Sequence, residues 1–208
     1  MVPRLDAMIT TPAARATTDV PATLRDRIIE AASEMTTTQG WSAVTMSRIA
    51  EVVGVSRQTV YNEVGGKPAL AEAMILHELA RFLEVVNTSF DENPGDIVEA
   101  IRGAARKVLE FAQDNTLLHA VVSATHGADT ELLPLLTTHS ESLLGVAKVV
   151  LSERVVDYDL GLTDYQLQAA MDMVVRVVLS HVMQPSATPA ETADDIAWIA
   201  ARVLRDPA

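Results

Sequence analysis

The sequence contains no cysteine and few aromatic residues, and both absences restrict how its core is built. Without cysteine, the chain of 208 residues forms no disulfide and no thiolate metal site, which suits a reducing cytoplasm. Aromatic residues make up 4% of the chain, whereas hydrophobic residues make up 49%. We therefore predict a sizeable core of Ala, Val, Leu, Ile and eight Met residues, and such a core is pliable.

Long apolar runs are missing as well. No stretch approaches the roughly 18 consecutive apolar residues that suggest a membrane-spanning helix. The first residues include Pro3, Arg4 and Asp6 and contain no continuous apolar segment of the kind found in signal peptides. We predict that the protein is cytoplasmic and has no membrane partner.

An excess of positive charge is also absent, because the formal net charge is −12 at pH 7. Such a charge ordinarily disfavours nucleic-acid binding, but its distribution is uneven. Residues 22–70 carry five Lys/Arg and five Asp/Glu, whereas residues 71–208 carry nine Lys/Arg and 21 Asp/Glu. Only the first segment can approach a polyanion without strong repulsion, so this distribution permits DNA binding without proving it.

What the chain does have is helical periodicity, which follows an N-terminal tail. Residues 1–20 show no apolar period and are predicted to be disordered. No later segment shows the alternation of a β-strand with hairpin turns. We predict an all-α fold of about nine helices, divided into domains at 21–68 and 69–208. Four helices lie before residue 94, and the others lie near 95–113, 115–125, 129–154, 163–184 and 189–205.

Residues 45–64 predict two short helices joined by a tight turn. Thr45 can cap the first helix and Ser56 the second, and Gly54 reaches the positive φ of the turn without strain. Ile49, Val55 and Val60 then face the space between the helices, where Ala50 allows close approach. Such a pair of helices is a helix-turn-helix.

The second of these helices carries an unusual mixture of polar side chains. Arg57, Gln58, Asn62 and Thr59 project away from the predicted core. Arginine pairs bidentately with guanine, and glutamine or asparagine pairs with adenine. The set suits a helix that reads DNA, and the alternative is a helical hairpin with an ordinary polar exterior.

The stretch GWSAVTMSRIAEVVGVSRQTVYNEVGGKPAL, residues 40–70, resembles the DNA-binding signature of the tetracycline-repressor (TetR) family. The matching elements are Gly40-Trp41, Thr45, Ile49-Ala50, Gly54-Val55-Ser56, Val60-Tyr61, Lys67 and Ala69-Leu70. The resemblance extends from the first predicted helix into the fourth, and the remainder matches only in helical layout and length. Glu63 departs from the pattern, because a carboxylate there repels phosphate unless it pairs or accepts from a cytosine amine.

The resemblance implies a set of DNA contacts. Ser47, Arg57, Gln58 and Asn62 fall where family members contact bases or neighbouring phosphates. Phosphate-contact positions are occupied by Thr45, Thr59, Tyr61 and Lys67, and Ser56 joins the set from the matching Gly54-Val55-Ser56 element. The predicted DNA-binding residues are Thr45, Ser47, Ser56, Arg57, Gln58, Thr59, Tyr61, Asn62 and Lys67.

The resemblance also implies a ligand-responsive regulator, commonly a repressor, that binds a palindromic operator as a homodimer. The last two helices would form the dimer interface and the other C-terminal helices a small-molecule pocket. The predicted pocket residues are Leu83, Phe111, Leu118, Val122, Leu136, Met171, Val175 and Arg176. Core packing is the alternative role for the apolar residues, and an ion pair with Asp172 is the alternative for Arg176. The apolar, Met-rich helices favour a lipophilic effector such as a fatty acid, acyl-coenzyme A or alkane, and the chain is similar to actinobacterial family members linked to lipid metabolism.

Patterns of catalysis and metal binding are missing. The sequence has no Ser–His–Asp spacing, Gly-rich phosphate loop or HExxH motif, and its five His do not cluster. We predict neither enzymatic activity nor a cofactor nor a metal site. The alternative function is an all-α lipid-binding or carrier protein without DNA-binding activity, which Glu63 and the acidic net charge support.

Overall fold

The computed structural model describes residues 22–123, 132, 141–158 and 160–205. In this part of the chain all regular structure is helical, with nine α-helices and no strand, which confirms the predicted all-α fold. The helices are α1 (Leu24–Gln39), α2 (Met46–Val53), α3 (Arg57–Val64), α4 (Lys67–Glu92), α5 (Ile97–Gln113), α6 (Thr116–Ser123), α7 (Glu141–Val155), α8 (Asp164–Met183) and α9 (Pro189–Arg205), with a 3₁₀ turn at Trp41–Ala43. The predicted tail lies outside the described residues, and so does the first part of the helix predicted near 129–154, whose residues 129–131 and 133–140 are not described.

Side chains just before the helices explain where several of them begin. Thr23 and Asp26 form a capping box at the start of α1. The Asp96 side chain accepts hydrogen bonds from two backbone amides in the first turn of α5. Thr163 and Gln166 form a second capping box at α8. Because the first amides of a helix have no partner within it, these caps fix the helix starts locally.

The first three helices pack around a shared core. Ile28 of α1, Ile49 of α2 and Val60 of α3 have no exposed surface, and Trp41 is 1% exposed in the same core. Val55 packs against this core while partly buried. The inward positions predicted for the two short helices are therefore confirmed.

Helix α4 joins this core to the rest of the molecule. Its first half contributes Leu70 and Met74 to the core of α1–α3, and its second half contributes Val86 and Phe90 to a second core. Helix α6 also reaches the first core, through Leu117 and Val121. Two helices of the C-terminal region therefore support the three-helix head directly.

The second core is built around α5, which packs between α4 and α9. The ring of Phe90 on α4 meets Tyr158 edge to face at 6.2 Å, and the Tyr158 hydroxyl donates to the Asn93 carbonyl at 2.8 Å. These contacts hold the end of α4 against the segment after α7. Among the described helices, none combines the length and apolarity needed to cross a membrane.

On the final helix, four apolar residues recur at helical spacing but are not buried alike. Ile196 and Ala200 are buried, at 4% and 5% exposure, whereas Ile199 and Val203 are 53% and 45% exposed. The reason is that α9 packs only one face onto its own chain. Trp198 of the same helix is also exposed, at 62%.

Candidate nucleic-acid interface and apolar cavity

The turn between α2 and α3 is built on Gly54. Its φ of 79° and ψ of 37° place it in the left-handed region, which glycine enters without strain. The amides of Gly54 and Val55 both donate to the Ala50 carbonyl, at 3.0 and 2.9 Å, and the Arg27 guanidinium donates to the Val53 carbonyl at 2.9 Å. These bonds satisfy the end of α2 and set the direction in which α3 leaves the turn.

The outer face of α3 carries two side-chain pairs one turn apart. The Arg57 guanidinium donates to the Tyr61 hydroxyl at 3.3 Å and lies 5.4 Å from the centroid of its ring. The Gln58 amide donates to Asn62 Oδ1 at 3.0 Å. All four residues are exposed, and Arg57, Gln58 and Asn62 keep further donors or acceptors free for a base edge. The structure thus leaves Arg57, Gln58 and Asn62 exposed together on α3, whereas Ser47 of the same predicted set lies on α2.

Other predicted DNA-contacting residues already have partners within the chain. The Ser56 hydroxyl caps α3 by accepting from the Thr59 amide at 3.0 Å, and the two hydroxyls are 2.8 Å apart. The Thr45 hydroxyl accepts from the Arg48 amide at 3.3 Å at the start of α2, where Ser47 is exposed. These hydroxyls position the two helices, whatever further contact they make.

Lys67 lies at the start of α4 and is held against the 3₁₀ turn. Its ammonium donates to the Trp41 carbonyl at 2.9 Å and lies 4.6 Å from the centroid of the Trp41 ring. An ammonium has three donors, so this contact leaves capacity for a phosphate. The interaction ties the start of α4 to the far end of the three-helix head.

Two arginines that the sequence did not single out also lie on this head. Arg25 donates to the backbone carbonyl of Glu63, at the end of α3, and Arg48 donates to the Ala43 carbonyl at 3.0 Å. Arg25 therefore places a cation beside the residue that departs from the family pattern. No local signal predicts this contact, since its partners are 38 positions apart.

A second candidate site is a cavity of about 190 Å³, which we call the apolar cavity. Five helices line it with residues that fall within 75–90 of α4, 101–108 of α5, 117–121 of α6, 143–151 of α7 and 174–182 of α8. Among the described residues that line it, Glu78 alone is not apolar. Leu83, Leu118 and Val175, three of the predicted pocket residues, are part of this lining.

Glu78 is satisfied by neighbouring side chains. Its carboxylate accepts from the Arg81 guanidinium, at 3.1 Å in the shorter contact, and from the amide of Asn115. Asn115 is buried and its Oδ1 accepts from the Leu118 amide at 2.7 Å, at the start of α6. This network links α4 to α6 at the margin of the apolar cavity.

Two other predicted pocket residues, Phe111 and Met171, are not among the residues that line this cavity. Phe111 meets Phe82 edge to face at 4.8 Å. Met171 is 6% exposed within the second core. Val122 lines a second cavity of about 140 Å³, formed by 109–113 of α5, 118–122 of α6, 181–183 of α8 and 185–192. Leu136 lies outside the described residues.

Arg176 lies on the outside of α8 and pairs with Asp172 one turn earlier. Its Nε is 2.6 Å from the carboxylate, so the ion pair that was the alternative role is present. Lys148 and Arg176, through hydrogen bonds to the carboxylate, lower the pKa of Asp172 below its ordinary value. Arg176 is not among the residues that line the apolar cavity.

Two regions of the chain match models of bacterial regulator domains. Residues 28–74 match the family described as "Bacterial regulatory proteins, tetR family", and residues 96–202 match "Bacterial Tetracyclin repressor, C-terminal domain". The chain belongs to the TetR family. It is therefore a transcriptional regulator and not an enzyme.

Individual relatives agree with this assignment. The regulator AlkX of Mycobacterium tuberculosis is 31% identical over 176 residues, which cover 85% of this chain and 82% of that protein. The repressor AcnR of Corynebacterium efficiens is 27% identical over 177 residues, which cover 85% of this chain and 89% of that protein. The crystal structure of the repressor AlkX from Dietzia, implicated in biodegradation of n-alkanes, superposes with a TM-score of 0.73 at 27% identity, covering 88% of this chain and 96% of that one.

Proposed function

We propose that this regulator is a cytoplasmic repressor that binds a palindromic operator as a homodimer and is released by a lipophilic small molecule. The observation that carries the proposal is the arrangement along α4. One end of this helix supports the head that bears α3, and its middle lines the apolar cavity.

The chemistry of α3 supports operator binding. Arg57, Gln58 and Asn62 are exposed on one face and are preordered by contacts one helical turn apart. A guanidinium can bind guanine O6 and N7 together, and a side-chain amide can bind adenine N6 and N7. Tyr61 on α3 and Ser47 on α2 are exposed as well, and hydroxyls such as theirs can contact phosphates.

Exposed apolar side chains on α8 and α9 support a dimer. Met173 on α8 is 63% exposed, and Trp198 and Ile199 on α9 are 62% and 53% exposed. A dimer formed through these two helices would remove such side chains from water, which is favourable. A dimer also has the right symmetry, since two recognition helices about 34–36 Å apart read the two halves of a palindrome.

The apolar cavity supports a lipophilic effector. Apart from Glu78, the described residues that line it offer hydrocarbon surface alone, which favours an alkyl or acyl chain over a polar metabolite. The relative from Dietzia is implicated in n-alkane biodegradation, which points to the same class. Fatty acids, acyl-coenzyme A thioesters and alkanes are the candidates.

A ligand in this cavity would act on the head through two helices. Leu79 and Leu83 of α4 line the cavity, and the same helix carries Leu70 into the head core. Leu117 of α6 both lines the cavity and is buried in the head core. A ligand that moves either helix therefore alters the position of α3, and with it the spacing of the two heads in the dimer.

Fluorescence anisotropy with the DNA upstream of the protein's own gene tests the DNA-binding part. We expect Arg57→Ala to weaken specific binding by about 1–3 kcal/mol, because one base contact is lost. Arg106→Ala is the matched control, since Arg106 is an exposed arginine on α5 paired with Glu110. Equal affinity of the Arg57 variant and the wild type, or equal losses in both variants, would count against α3 as the recognition helix.

The effector part is tested by adding chain-bearing ligands to the preformed protein–DNA complex. We expect a fatty acid, acyl-coenzyme A or alkane to release the DNA, and Leu83→Trp to reduce that release by filling the cavity. Val52→Trp, on an exposed position of α2, controls for the added indole. Release that is insensitive to the Leu83 substitution would place the effector elsewhere.

A further inference from the structure

The second cavity adjoins the apolar cavity, and Leu118 and Val182 line both. We propose that the two cavities form one bipartite site for a chain that ends in a carboxylic acid. The alkyl chain occupies the apolar cavity, and the carboxyl group lies between His119 and His181 in the second cavity. This inference rests on the proposed function, because it specifies which lipophilic molecule the regulator senses.

The apolar cavity is unsuited to the acid end of such a molecule. Among the described residues that line this cavity, Glu78 carries the charge, and its carboxylate would repel a second carboxylate. Glu78 is also occupied by bonds from Arg81 and Asn115. The hydrocarbon walls of this cavity suit the chain, so the head group must lie at an end that offers other chemistry.

The second cavity offers that chemistry. His119 of α6 and His181 of α8 line it together with Gln113 and Thr192, and no acidic residue is among its described lining. His119 is exposed, so a charged head group there keeps contact with water. A carboxylate that remains partly hydrated avoids most of the free energy of burying a charge.

Existing hydrogen bonds orient both imidazole rings. His119 Nε2 lies 2.7 Å from the Gln113 carbonyl, and His181 Nδ1 lies 2.8 Å from the Val177 carbonyl. Since a carbonyl only accepts, each of these nitrogens carries the proton, and the other nitrogen of each neutral ring has a free lone pair. Each ring thus presents a basic nitrogen.

A fatty acid is already a carboxylate at neutral pH, so one of these basic nitrogens takes up a proton from the surrounding water when the head group binds. A water O–H bond breaks and an imidazole N–H bond forms, which leaves the carboxylate beside an imidazolium ion and consumes one proton from solution. The new N–H donates to a carboxylate oxygen, a charge-assisted hydrogen bond that is stronger than a neutral one. An alcohol of equal chain length can donate a hydrogen bond to the same nitrogen but forms no ion pair.

The position of the head group also connects it to the DNA-binding head. His119 lies on α6 between Leu117 and Val121, which are buried in the core of α1–α3. His181 lies on α8, which lines the opposite side of both cavities. A carboxylate held by both rings would fix α6 relative to α8, whereas a plain hydrocarbon would fill the apolar cavity alone.

Isothermal titration calorimetry with decanoate and 1-decanol, which have equal chain lengths, tests the proposal. We expect wild-type protein to bind decanoate more tightly than 1-decanol. His119→Ala and His181→Ala should each weaken decanoate binding about tenfold or more, as expected for a lost charge-assisted bond. Binding of 1-decanol should change less than twofold. His77→Ala, in a histidine of α4 that lines neither cavity, should leave both affinities unchanged.

A second measurement keeps the test valid if an alanine variant folds poorly. The NMR signal of decanoate labelled with ¹³C at the carboxyl carbon should shift on binding to wild type, and His119→Gln and His181→Gln should each alter that bound shift. Loss of decanoate and 1-decanol binding in equal proportion, a bound shift unaffected by either histidine, or absence of decanoate binding would each overturn the proposal. Operator binding is measured separately, so failure there contradicts the proposed function and not the placement of the acid.

Discussion

Replacing Gly54 with alanine isolates the backbone strain of the helix-turn-helix. A non-glycine residue in the left-handed conformation of Gly54 costs roughly 1–2 kcal/mol. A Cβ built at Gly54 meets no atom within 4 Å, so no steric clash adds to this strain. Loss of glycine's freedom in the unfolded chain offsets about 0.4–1 kcal/mol. We therefore expect Gly54→Ala to lower the free energy of unfolding by about 0.5–1.5 kcal/mol.

Gly95→Ala provides the matched control. A Cβ at Gly95 also meets nothing within 4 Å, and Gly95 is not among the glycines with positive φ, so this variant should be neutral or slightly stabilised. Gly54→Asn should be more stable than Gly54→Ala, because asparagine tolerates the left-handed region.

Urea unfolding followed by circular dichroism measures all three variants, at one protein concentration because a dimer's stability depends on it. In a thermal melt, about 1 kcal/mol corresponds to roughly 2–4 °C for a chain of this size. If Gly54→Ala were as stable as Gly95→Ala, or if Gly54→Asn were less stable than Gly54→Ala, the reasoning from left-handed strain would be refuted.

Three further changes test the packing, capping and charge of the fold. Ile49→Ala should lower the free energy of unfolding in urea by about 2–5 kcal/mol, since Ile49 has no exposed surface. Val52 is 63% exposed on the same helix, so Val52→Ala should change the free energy of unfolding by no more than about 0.5 kcal/mol. Ser56→Ala should lower the free energy of unfolding by about 1 kcal/mol through loss of the α3 cap, and an unchanged value would argue against that cap. Hydrogen bonds from Lys148 and Arg176 lower the pKa of Asp172 in the folded protein. The ionised carboxylate therefore stabilises the fold at pH values above its ordinary pKa, and this stabilisation is lost as the pH falls through the folded-state pKa. Asp172→Asn should therefore destabilise the protein at pH 7 and progressively less below about pH 4, and a stability difference that is constant with pH would contradict this.

Local features of the helix-turn-helix were predictable from the sequence because their causes lie within a few residues. Thr45 and Ser56 cap the helices that follow them, and Gly54 adopts the left-handed turn. Ile49 and Val60 recur at the spacing that turns them inward, and both are fully buried. Each of these features depends on one helix end or one helical period.

The surroundings of Glu63 and Lys67 were not predictable in the same way. Arg25 binds the Glu63 carbonyl from 38 positions away, and Lys67 lies over Trp41 from 26 positions away. Neither pair shares a helix or a turn, so no periodicity connects them. Their contacts exist only because α1 and the 3₁₀ turn pack against the ends of α3 and α4.

The cavity residues show the same limit in the C-terminal region. Helical spacing indicated that Leu83, Phe111 and Met171 face inward, and all three have inward contacts. Leu83 lines the apolar cavity, however, whereas Phe111 packs on Phe82 and Met171 is buried in the second core. Periodicity identifies the buried side of a helix but does not indicate whether that side meets a neighbour or an empty space.

The sequence by itself determined the helices, their caps, the turn at Gly54 and the exposed polar face of α3, because each follows from interactions between residues close in the chain. Only the tertiary structure decided where the two cavities lie, that they share Leu118 and Val182, and that His119 and His181 line the same one. The reason is geometric. A cavity is the space that several packed helices fail to fill, so its shape and lining depend on how those helices cross and not on the pattern of any one of them.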